Sequence, residues 1–148
     1  TLSVTYRIGK VDASALEPPA RYTRFGAYAR SKLALLLFTL ELARRAGTEG
    51  PHVYAADPGV VDTDMITMHR WFDPLADLLF RPLIKSPRRG AETAVALAAG
   101  ELPDGKPAIY WAGMKPHRIP ASVVNHPCRQ ALWEETERFL ERRGIELE

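Results

Sequence analysis

"YARSKLALLLFTLELARR", residues 28–45, sets the reading of the whole chain. Leu33, Leu36, Leu37, Leu40 and Leu42, with Ala34 and Ala43, make a broad apolar stripe at helical spacing. The pattern predicts a helix from Phe25 to Arg45, closed by the cations and glycines of "RRAGTEG". Tyr28 and Lys32 stand one turn apart near its start and project from one face. A phenol titrates near ~10 and exchanges protons poorly at neutral pH, but an adjacent ammonium favours the phenolate. A tyrosine so placed is a usable general acid or base. The competing reading is a surface tyrosine beside a surface lysine, and the flanking sequence has to choose.

On the far side of the helix comes "HVYAADPGVVDTDM". His52 to Ala56 is a short apolar run, as expected of a strand buried on both faces, and Pro58-Gly59 stops it. The segment 65–86 is amphipathic, broken by proline and rich in large apolar groups, and reads as a flap of short helices. A helix is expected from Pro87 to Ala99 with Ser86 as its N-cap. "KPAIYWAG" reads as another strand. Residues 125–144 read as an amphipathic C-terminal helix capped by Asn125, with Leu132, Thr136, Phe139 and Leu140 at helical spacing. Before the long helix, residues 1–8 read as the tail of a strand and its loop, and 9–24 as a proline-containing loop.

Strands alternating with helices predict an α/β protein with a parallel sheet. Two complete strands fall short of such a domain. The order therefore reads as one partial domain over 1–148, the second half of a doubly wound parallel-sheet fold. A half-sheet of this kind is expected to leave an apolar edge open.

Composition narrows the function classes. The 148 residues are 46% hydrophobic and 26% charged with net charge +2, the balance of a globular protein. The cationic runs "ARR", "SPRRG" and "ERRG" are short and fall at helix ends, so no nucleic-acid partner is expected. The one cysteine, Cys128, excludes an internal disulfide and fits a cytoplasmic protein. His52, His69, His117 and His126 lack ligand spacing, so no metal is expected.

With these residues in view, "YARSK", the leucine-rich run behind it and the strand ending "DPGVVDT" resemble the short-chain dehydrogenase/reductase family, in particular its retinol dehydrogenase and dehydrogenase/reductase-like branch. The resemblance runs from about Thr1 to Gly113 and weakens beyond. It implies a catalytic triad of Tyr28, Lys32 and Ser3. Tyr28 is then the acid/base, Lys32 eases its ionisation and bonds the nicotinamide ribose, and Ser3 holds the substrate oxygen. The family's paired serines are "LS" here, so only the second position matches, and the gap from Ser3 to Tyr28 is longer than usual. Ser3 also reads as a loop serine capping a turn.

The resemblance further implies that Pro58, Gly59 and Val60 bring backbone to the nicotinamide, with Thr63 contacting its carboxamide or the pyrophosphate. The cofactor is NADP or NAD. Ser31 is expected to bond locally, and Asp57, Asp62 and Asp64 to be solvated and to cap the following turn. If the apolar residues of the flap line a pocket, the substrate is a small hydrophobic carbonyl or alcohol. The flap also offers a surface for membrane contact, and family members commonly form homo-oligomers through helices of the 25–45 type. No G-x-x-x-G-x-G or G-x-G-x-x-G occurs in the sequence, so the resemblance implies the C-terminal half of a doubly wound parallel-sheet (Rossmann) fold, lacking the N-terminal dinucleotide-binding strands. The competing function is therefore a truncated, inactive fragment acting as an interaction or pairing module, or a half-enzyme completed by another chain.

Overall fold

In the computed structural model, residues 1–12, 22–61, 85–101 and 108–145 are described. Most of the flap, residues 65–84, and Thr63 lie outside them.

The predicted long helix is α1, Arg24–Ala46. Thr23 caps it, its hydroxyl oxygen accepting from the Gly26 amide at 3.1 Å. Gly47, at φ 64°, ends it in the left-handed region that glycine enters without a Cβ clash. Ala29, Leu33, Leu36, Leu37 and Leu40 are buried along one stripe, as their spacing requires. The four leucines form one core with Leu2, Tyr6, Val11, Ala55, Tyr110 and Leu132.

Among the described residues three strands follow. β1 is Ala55–Asp57, β2 is Tyr110–Ala112 and β3 is Lys115–His117. The sheet order is β1-β2-β3. β1 and β2 run parallel with Ala55 opposite Tyr110 and Asp57 opposite Ala112. Their crossover carries helix α2, Pro87–Ala98, with Ser86 accepting from the Arg89 amide at the expected cap and proline in the first turn. Beyond the other edge of β1, the Leu2 amide donates to the Ala56 carbonyl at 2.8 Å. The first residues thus do lie beside β1, but Val4–Ile8 then wind into a short 3-10 helix capped by Ser3.

Two expectations are corrected. The sheet is mixed, because β3 returns antiparallel to β2. The turn is two residues long, with Gly113 at φ 56° and Met114 at φ 63°, the left-handed pair that matches strand twist in a tight hairpin. Methionine is a poor sequence signal for such a turn. Lys115, Pro116 and His117 blunt the sheet edge at β3.

The C-terminal helix is also not continuous over 125–144. A short α3, Ala121–Val124, precedes α4, Cys128–Glu141. Asn125 follows α3 and donates its amide to the Ala121 carbonyl instead of capping α4. Pro127 explains the break, since it has no amide proton to continue the ladder and disfavours helical geometry at His126. The His126 Nδ1 takes the Asn125 role, accepting from the Cys128 amide at 3.2 Å. In α4, Leu132 is buried as expected and Trp133 joins it, whereas Phe139 is exposed.

Among the described residues no helix is long and apolar enough to cross a membrane.

Candidate active site

The carboxyl end of β1 is where an open α/β sheet presents ligands. Asp57 ends that strand and Pro58-Gly59-Val60 turn away from it. Gly59 sits at φ 76°, a backbone that side chains other than glycine adopt at a cost of about 1–2 kcal/mol. Its amide donates to Asp57 Oδ1 at 2.8 Å. Gly59 and Val60 are exposed, so their backbone can be approached from outside. The Lys85 amide returns to the Val60 carbonyl at 2.9 Å.

Tyr28 and Lys32 stand together on α1. The Lys32 ammonium lies 5.3 Å from the centre of the Tyr28 ring. It also donates to the Thr1 carbonyl at 3.2 Å, two residues before Ser3. An ammonium has three protons, so one bond leaves two to place. The Leu2 amide, next in sequence, is held by Ala56 of β1, the residue before Asp57. Lys32 of α1 is thus linked to β1 through Thr1 and Leu2. Ser31 donates to the Tyr28 carbonyl at 2.8 Å, the local bond expected of it.

Ser3 does what a turn-capping serine does: its oxygen accepts from the Thr5 amide at 3.4 Å. Accepting leaves the hydroxyl proton available to another acceptor, so capping and substrate contact are compatible. Thr63, Asp62 and Asp64 lie outside the described residues.

Asp57 departs from expectation. It caps the turn, but it is 4% exposed and not solvated. Its Oδ2 accepts from the Tyr110 hydroxyl at 2.9 Å, across 53 residues of sequence. Burial, reinforced by the Asp57 carboxylate, pushes the Tyr110 hydroxyl well above the ordinary tyrosine range, so it stays a donor. Tyr110 gave no site signal in sequence beyond being an aromatic in a strand.

Among the described residues no group of three or more His, Cys, Asp or Glu side chains could hold a metal. The residues present fit the nicotinamide end of a dinucleotide instead. An approachable Gly59 backbone and a partly bonded ammonium beside a phenol match a carboxamide and a ribose.

Known proteins resemble the chain as follows. It is 35% identical over 131 residues to retinol dehydrogenase 12 of Homo sapiens, covering 88% of this chain and 41% of that protein. Polyprenol dehydrogenase of Homo sapiens is 37% identical over 134 residues, again 88% of this chain and 41% of that protein. Dehydrogenase/reductase SDR family member 13 of Bos taurus is 32% identical over 136 residues, 89% of this chain and 36% of that protein. The chain spans about two-fifths of the length of the curated relatives it matches. No family model and no solved structure matches it.

Proposed function

This chain belongs to the short-chain dehydrogenase/reductase family, and we propose that it carries the proton-handling side of a hydride transfer between NADP or NAD and a small hydrophobic alcohol or carbonyl compound. Tyr28 is the acid/base. In reduction its phenol gives a proton to the substrate oxygen, and in oxidation its phenolate takes one. Lys32 favours the ionised phenol and donates to the ribose of the cofactor. The Ser3 hydroxyl donates to the substrate oxygen and holds it within reach of Tyr28. The backbone of Pro58, Gly59 and Val60, with the Thr63 hydroxyl, orients the nicotinamide. When bound, the cofactor supplies or accepts the hydride, and the protein supplies placement and the proton. The residues assigned here serve only the nicotinamide end of the cofactor.

The observation that carries this reading is the double engagement of Lys32, beside the Tyr28 ring and bonded to Thr1. A lysine on a merely solvated face has no cause to be held at the junction of helix and sheet. The substrate class rests on two supports. The matched relatives are named for retinol and polyprenol, and the flap sequence carries Met65, Met68, Trp71, Phe72 and Phe80.

Titration of the protein with NADPH and NADH, followed by nicotinamide fluorescence, tests the assignment. Lys32→Met is expected to weaken binding about tenfold, the scale of one charge-assisted hydrogen bond. Equal affinity in Lys32→Met and the unsubstituted protein would remove Lys32 from the site.

A further inference from the structure

We infer that Tyr110 and Asp57 form a buried positioning pair that clamps the Gly59 backbone in the conformation the nicotinamide meets. The inference rests on the role proposed above for Pro58, Gly59 and Val60.

Geometry makes the pair specific. Ala55 is opposite Tyr110 in the parallel ladder, so Tyr110 lies diagonal to Asp57, two residues further along β1. Residues two apart share a face of a strand, and a diagonal neighbour is within reach of a long aromatic side chain. Both side chains are inside, each 4% exposed. A phenylalanine at 110 would fill nearly the same space. The hydroxyl is there, and it is spent on Asp57 Oδ2. A buried hydroxyl and a buried carboxyl are each costly alone, and each is satisfied by the other.

That bond fixes one carboxyl oxygen and aims the second. Asp57 Oδ1 then accepts the Gly59 amide at 2.8 Å. An exposed aspartate can make the same local turn unaided, but it remains free to rotate. Here the carboxyl is anchored by a neighbouring strand, so the turn inherits the rigidity of the sheet. The anchor is itself braced. Tyr6 meets Tyr110 edge to face, with ring centres 5.7 Å apart and planes at 88°. Tyr6 belongs to the 3-10 helix that Ser3 caps. A line of buried side chains, Tyr6 to Tyr110 to Asp57, therefore joins the Ser3 side of the site to the exposed Gly59 of the cofactor turn. The upward displacement of the Tyr110 hydroxyl keeps its proton in place for this bond.

Hydrogen exchange at single amides, read by NMR, tests the pair without requiring turnover. Tyr110→Phe should speed exchange at the Gly59 amide about tenfold. The Ala55 amide of β1, bonded to the Ile109 carbonyl just before β2, should keep its rate. Asp57→Ala should open Gly59 at least as much. Asp57→Asn should rescue it to within about twofold, because a carboxamide can accept from Gly59 and donate to the Tyr110 oxygen. In kinetics, Tyr110→Phe should raise the KM for the cofactor several-fold and leave kcat within about twofold, whereas a purely structural pair would lower the active fraction and so the apparent kcat.

Gly59 exchange at the unsubstituted rate in both Tyr110→Phe and Asp57→Ala overturns the inference. So does equal acceleration at Gly59 and Ala55. If Tyr110→Phe does not fold, the contrast between Asp57→Asn and Asp57→Ala decides. An unsubstituted protein without turnover would count against the proposed function, and the exchange rates would still decide the clamp.

Discussion

Gly9 shows how tightly single residues set this site. A Cβ there would stand 2.4 Å from the Ala29 carbonyl oxygen and 2.9 Å from Leu33 Cβ. The segment after Ser3 can lie flat on α1, one turn from Tyr28 and Lys32, only because residue 9 has no side chain. Gly9→Ala should destabilise the protein by about 1–3 kcal/mol, the range of overpacked cores, measured as a lowered urea midpoint. An unchanged midpoint would mean that the contact between segment and helix is loose. At this scale the sequence was partly legible. That Tyr28 and Lys32 lie side by side is legible in their spacing, because a helix guarantees that residues four apart share a face. Asp57 and Tyr110 are not, because their meeting depends on the register of two strands far apart in sequence. Local signals place Asp57 in a turn and leave its burial out.

Between elements, the junction of α1 and α4 rests on a buried carboxylate. Glu41 lies on the apolar face of α1, one turn after Leu37, with its side chain 2% exposed. Arg44 pairs with it at 2.6 Å, Arg45 at 3.0 Å and Arg129 of α4 at 3.2 Å. Arg45 also lies over the Trp133 ring of α4 at 4.6 Å, and Phe38 stacks on that ring at 4.8 Å. The Arg44 guanidinium, helped by Arg45 and Arg129, holds Glu41 down to about 2 despite the burial that opposes ionisation. The carboxyl binds protons less readily folded than unfolded. Its contribution is therefore complete above its ordinary value of 4.5 and drains away as pH falls toward about 2.

Screening at the partly exposed arginines discounts that contribution to about 2 kcal/mol. Glu41→Gln should lose roughly that much at pH 7 and show a shallower fall in Tm below pH 4.5 than the unsubstituted protein. Parallel Tm curves for the two would contradict the assignment. The leucine stripe announces α1 and its packing face, but a glutamate within it does not announce its burial, because the compensating Arg129 comes from another helix. The break before α4 was written in Pro127, which the amphipathic spacing beyond it outweighed.

For the molecule as a whole, the α/β character, the succession α1, β1, α2, β2 and the resemblance to the family were legible from α1 and the turn after β1. Helical periodicity and Pro58-Gly59 are local. β3 itself was not legible, since a hairpin through Gly113-Met114 lacks the residues that usually mark one. The central proposal is that Tyr28 works as an acid/base with Lys32 held beside it by its bond to the Thr1 carbonyl. The most direct test compares Tyr28→Phe with the unsubstituted protein in turnover of a retinoid or polyprenoid alcohol with NADP and NAD, measuring cofactor affinity on the same samples. We expect the rate to fall at least about a hundredfold, the usual scale for a lost general acid/base, with cofactor affinity nearly unchanged. Turnover by Tyr28→Phe at the rate of the unsubstituted protein would contradict the account.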